Sequence, residues 1–140
     1  MGIVILKRDL LAIEQSGLPK PIIYCHPDRT DLLNAISLNK ELAKKILLIE
    51  PNRRTLRIEK CLQQVLKQLP DDSIVKDFDV LFNPDYKVDI LLVLSTIAKT
   101  KPYRIIWPGG FDGKRLYYAE EGFPDYRSFD IRNYDITCVV

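Results

Sequence analysis

The residues between Pro21 and Ile36 hold the first chemistry to weigh. PIIYC, at 21–25, is a short run of β-branched and aromatic residues and reads as a buried strand. The amphipathic run after it, with Leu32, Leu33 and Ile36 on one side, reads as the opening turns of a helix. Between them lies a turn, Cys25 to Thr30. A strand-to-helix turn is where phosphate-binding α/β proteins seat their anion, because free helix N–H groups and the helix dipole face it. Such a seat needs glycines so that amides can turn inward, a lysine for the outer phosphates, and a Ser or Thr for magnesium. This turn has no glycine. It offers Arg29 and Thr30, either as a remnant phosphate clamp or as a solvent-facing first helical turn. Pro27 removes one amide donor. Asp28 can cap the helix, and Asp31 three positions later makes an approximate capping box. Both add negative charge where an anion would sit.

Other reactive residue types are scattered. Cys25-His26 is the one Cys–His neighbourhood in the chain. Adjacent turn residues rarely point the same way, and no third metal ligand stands at a suitable spacing. A nucleophilic cysteine would need a base positioned by the fold. Arg53, Arg54, Arg57 and Lys60 surround the start of a strong helical pattern. Cations at that end oppose the helix dipole, so the cluster is either a phosphate-backbone contact or a solvated face. Further on, Tyr117, Tyr118, Tyr126 and Tyr134 interleave with Lys114, Arg115, Arg127 and Arg132, which suits single-stranded nucleic acid. Six carboxylates between Asp112 and Asp135 neutralise that segment, and a Tyr/Arg-rich protein–protein surface is the alternative. Trp107-Pro108-Gly109-Gly110 ends a strand, at the edge where α/β sheets bind ligands. It suits a docking role, or Trp107 covers the edge of the core.

These residues must be positioned by one domain, 1–140, of ordinary globular composition, with 46% hydrophobic and 29% charged residues. The net charge of +2 is too small to argue for nucleic acid by itself. Cys25, Cys61 and Cys138 lie far apart in sequence and form no disulfide framework, which fits a reducing cytoplasm. No targeting segment or membrane span is expected. Residues 4–16 read as a helix ended by Gly17 and Pro19. Lys40–Ile49 reads as a helix, with LLI at 47–49 open to a strand reading. Arg54–Leu69 is the clearest helix, Ile74–Phe82 a strand with an apolar end, and Val88–Lys99 a buried helix. Tyr103–Trp107 is a central strand, Asp112-Gly113 a hairpin turn, and Tyr134–Val140 a last strand. The alternation predicts a three-layer α/β domain with a largely parallel sheet and an antiparallel hairpin on its edge.

WPGG at 107–110 followed by FDGKRLYYAEEGFPDYR at 111–127 resembles the C-terminal signature of the BrxF family, the small P-loop proteins of type-three BREX (bacteriophage exclusion) systems. Trp107-Pro108-Gly109, Arg115-Leu116, Tyr118-Ala119-Glu120, Gly122, Pro124, Tyr126 and Arg127 stand at matching positions. Glu121, Phe123 and Asp125 replace the family's Pro, His and Glu. LFNP at 81–84 and SLNKELAKKIL at 37–47 are weaker matches. The resemblance implies a core like that of P-loop NTPases, a Walker A loop after the first strand, and an Asp near the metal on the second core strand. At those places this chain carries the glycine-free turn ending in Arg29-Thr30, and Lys76, with Asp77 and Asp79 out of register.

The expectation is therefore a non-catalytic assembling or regulatory subunit of a BREX-type phage-defence complex, with a decayed nucleotide site. Its contact surface would comprise Trp107, Arg115, Tyr118, Tyr126 and Arg127. One alternative is a nucleotide-binding subunit whose atypical loop uses Arg29 and Thr30. The other is a DNA-binding accessory factor using Arg53, Arg54, Arg57 and Lys60. No catalytic residue, metal site or cofactor is expected; ATP with magnesium is what the resemblance implies and the turn argues against. The expected partners are other subunits of the complex, with DNA and self-association open and no membrane.

Overall fold

A computed structural model of the chain describes residues 1–15 and 21–140. In chain order the elements are β1 (Ile3–Ile5), α1 (Leu10–Gln15), β2 (Ile22–Tyr24), α2 (Arg29–Asn34), β3 (Ile36–Ser37), α3 (Asn39–Leu47) and α4 (Arg54–Lys67). There follow β4 (Ser73–Lys76), α5 (Ile90–Thr100), β5 (Tyr103–Ile106), β6 (Gly110–Phe111), β7 (Arg115–Tyr118), β8 (Arg127–Asp130) and β9 (Thr137–Val139). Six strands make one sheet in the order β1-β9-β2-β5-β4-β3, with every neighbouring pair parallel. The other three form a separate antiparallel sheet, β6-β7-β8. The protein is thus a mixed α/β fold.

Alternation along the strands sends side chains to two unequal faces. Ile23, Val75, Ile105 and Cys138 face the larger cluster, which takes Leu42 and Ile46 from α3, Ile58 and Leu62 from α4, and Leu91 and Leu94 from α5. Tyr24, Ile106 and Val139 face a smaller one, closed by Leu10 of α1 with Ala35 packed against it. A parallel sheet needs cover on both faces, and among the described residues one cover is much thinner. The clearest helical pattern holds: Ile58, Cys61, Leu62, Val65 and Leu66 are the buried side of α4. Asp89 caps α5 by accepting from the Leu92 amide at 3.1 Å.

Several expected elements differ. Residues 3–5 are a strand, and only the segment from Lys7 onward is helical, because Ile3–Ile5 finds an open edge beside β9. The predicted stop at Gly17 and Pro19 lies outside the described residues. In α2, Leu32 and Leu33 are exposed, Leu33 by 73%, and Ile36 leaves the helix to pair with Val75 in β4. Residues 47–49 do not form a strand. The apolar run Val80–Phe82 belongs to a 3-10 turn, Asp79–Phe82, rather than to the end of β4. A short apolar run carries no period of its own, so burial alone leaves its type open.

The hairpin does not extend the main sheet. It leaves β5, which already has β2 and β4 on its two sides, so it cannot pair beside the strand it continues from. It folds over the end of the sheet instead. Trp107 is its hinge pin, 3% exposed and edge-on to Phe82 at 5.9 Å and to Phe129 of β8 at 5.6 Å. Its Nε1 donates to the Tyr117 carbonyl at 3.0 Å. Gly109 is required by close approach: a Cβ there would lie 1.9 Å from the same carbonyl oxygen. β8 itself carries no alternation that a sequence reading could catch, and the last strand is shorter than 134–140 suggests, spanning Thr137–Val139.

Candidate functional site

β2 and β5 are neighbours whose onward connections lead to opposite sides of the sheet, toward β3 and toward β9. The carboxyl end of such a pair is where open α/β sheets form a ligand crevice. The turn Cys25–Asp28 leaves β2 at that point, after the Cys25 amide has added one more bond to the ladder, to Val139 O at 2.9 Å. Asp28 then caps α2. The Asp31 amide donates to Asp28 Oδ1 at 2.8 Å, and the Asp28 amide donates to Asp31 Oδ2 at 3.0 Å. This is the reciprocal box that the spacing predicted.

A third residue completes the corner. Lys7 follows β1, its amide held by Val140 O at 3.0 Å. Its ammonium bonds the Asp28 carboxylate and, at 2.6 Å, Asp31 Oδ2, and it lies 5.9 Å from the centre of the Tyr24 ring. The hydrogen bonds it donates to Asp28 and then Asp31 push the Lys7 pKa up. The same ammonium, with the Asp31 amide second, holds the Asp28 carboxyl below its usual range. Sequence reasoning missed Lys7 because it sits in what reads as one continuous helix. Only the β1-β9-β2 order brings it here.

The Asp28 and Asp31 amides and the Lys7 ammonium are thus bonded by the chain's own carboxylates. Those two carboxylates stand where a phosphate would sit, against the cations Lys7 and Arg29, so the corner carries no excess positive charge to attract one. Arg29 and Thr30 are both exposed on the first turn of α2. Lys76, where the resemblance would place a metal-associated Asp, donates to the Leu32 carbonyl at 3.3 Å. Asp77 is exposed, and Asp79 accepts from Asn39 at 3.4 Å and from the Tyr118 hydroxyl at 3.0 Å. These donors do not fit a magnesium-bound triphosphate.

Cys25 and His26 are not brought together. His26 is exposed, whereas Cys25 is buried beside Cys138, whose hydrogen bond, with burial second, pushes the Cys25 thiol far up. A thiol so held is inert rather than nucleophilic. No group of three or more His, Cys, Asp or Glu among the described residues is arranged to hold a metal.

The expected contact surface divides. Trp107 is core, not surface, since its ring fills the seam between the two sheets. Tyr118 stacks on Phe82 at 4.0 Å, and burial, then its bond to Asp79, pushes its hydroxyl up to about 12. Arg127 donates to Tyr86 O at 3.2 Å, tying β8 to the turn before α5. Tyr126 is half-buried, and Arg115 is exposed. Of the α4 cluster, Arg54 is turned back to the Ile49 carbonyl at 3.0 Å. Arg53, Arg57 and Lys60 instead line a groove of about 440 Å³ against Lys45 of α3. No described helix is long and apolar enough to cross a membrane. Against known proteins, the chain matches no family model, no curated protein and no solved structure.

Proposed function

We propose that this protein is a non-catalytic assembling or regulatory subunit of a BREX-type phage-defence complex, built on a core like that of P-loop NTPases whose nucleotide seat has decayed. One observation carries the non-catalytic part: Asp28, Asp31 and Lys7 are bonded to one another at the switch-point corner, across the place a phosphate would take. A triphosphate would have to displace that network and then face two carboxylates. The position of the corner, after β2 and against β5, supports descent from a ligand-binding α/β sheet. The assignment to phage defence rests on the 107–127 block and its resemblance to the BrxF family.

Calorimetry of the protein with ATP and magnesium should give no binding heat. Saturable heat abolished by Arg29→Ala would overturn the reading in favour of a nucleotide-binding subunit with an atypical loop. Affinity purification from the native cell should recover other subunits of a defence complex. A clean preparation of this chain without them would remove the assembling role.

A further inference from the structure

Away from the corner, a group of cations with few carboxylates lies between α3 and α4. The groove there, about 440 Å³, is lined by Lys45 from α3 and by Arg53, Arg57 and Lys60 around the start of α4. Its one carboxylate, Glu50, stands 3.8 Å from Arg53. Lys45, Arg57 and Lys60 form no ion pair among the described residues. Their charges converge: burial pushes the Cys61 thiol up at the groove wall, while Lys45 and Arg57 pull against it. Beside the cations stand bare leucines. Leu48 lines the groove and is 87% exposed; Leu56, 85% exposed, lies outside its lining, one helical turn before Lys60 on α4. Two large bare apolar side chains flanking cations without ion pairs support an interaction surface over a solvated face.

We infer that this groove docks an acidic amphipathic helix of a partner protein, its carboxylates meeting Lys45, Arg57 and Lys60 and its aliphatic side chains meeting Leu48 and Leu56. Charge complementarity selects the sign of the partner, and the leucines select its kind. A nucleic-acid backbone would neutralise the cations but leave the leucines in water, and the groove has no aromatic ring on which a base could stack. A flat anionic bilayer cannot enter a concave groove, whereas a helix can lie in it. The inference goes beyond the assembling role proposed above and does not depend on the state of the nucleotide corner.

The test is fluorescence anisotropy with the full chain and a labelled synthetic helix, leucines at i, i+3 and i+7 and glutamates elsewhere. The comparison probes are the same helix with lysines for glutamates, a short DNA duplex, and phosphatidylserine vesicles. The acidic helix should bind saturably and the lysine helix should not. Arg57→Glu with Lys60→Glu should weaken binding about tenfold or more, and Leu48→Ser about threefold. Arg29→Ala should change nothing, which separates this surface from the corner. All these side chains are exposed, so circular dichroism should match the parent protein. Binding of duplex or vesicles in preference to the acidic helix overturns the inference, as does acidic-helix binding indifferent to the charge reversals or no binding at all.

Discussion

Lys7 stands between two carboxylates that would otherwise repel each other. Lys7→Met removes the cation and keeps the stem. Because Lys7 and Asp28 are open to solvent, although Asp31 is buried, the loss should be modest, a drop of about 0.3 M in the urea midpoint at neutral pH. The sign with pH follows from the two shifts. The folded-state pKa of Asp28 is depressed, so its contribution is present above the ordinary carboxylate value of about 3.9 and is lost as pH falls through the folded value. The folded-state pKa of Lys7 is raised, so its contribution is complete below about 10.4 and is lost as pH rises through the folded value. Parent and variant should therefore differ between about pH 4 and pH 10 and converge once pH has fallen below the depressed folded-state value of Asp28. A difference that persists after both carboxylates are protonated would mean the methionine disturbs packing rather than charge. The capping box was legible because its residues lie three apart in sequence. Lys7 was not, because its partners reach it only through a strand inserted between β1 and β2.

Elements were legible where a period ran long enough to exclude rivals. α4 offers five buried residues at helical spacing and could be nothing else. The three residues of β1 were absorbed into a neighbouring helical pattern, and the polar β8, RSFD, showed no period at all. Trp107 illustrates the cost: its place before Pro108 and two glycines left a docking role and cover for the core edge equally open, and rings from 78–82 and from β8 enclose it in the core. That enclosure gives the docked hairpin its own reporter, since Trp107 is the chain's single tryptophan. Phe129→Ala removes the ring 5.6 Å from it and should destabilise the protein by about 3–5 kcal/mol, the usual cost of deleting a buried phenylalanine. If the variant stays folded, its emission should move to the red and acrylamide should quench it more readily. Unchanged emission and quenching would mean the hairpin docks without Phe129.

Across the whole molecule, the two faces of the sheet are unequally defended. Among the described residues, the larger cluster draws on three helices and the second sheet, whereas the smaller has four buried residues, only one of them, Leu10, from a helix. Native-state hydrogen exchange should therefore show α1 and α2 opening locally, at least about tenfold faster than α4, β2 and β5, which should exchange only on global unfolding. Equal protection on both faces would show a single cooperative unit. The sheet order has one more consequence. β9 lies between β1 and β2, so a chain emerging from the ribosome makes both flanking strands long before the one that joins them. Until Thr137–Val139 has been synthesised, two apolar strands wait with unpaired edges, a state prone to self-association. Co-translational chaperone capture and late, all-at-once closure of the sheet are the biosynthetic signature to expect of such a topology.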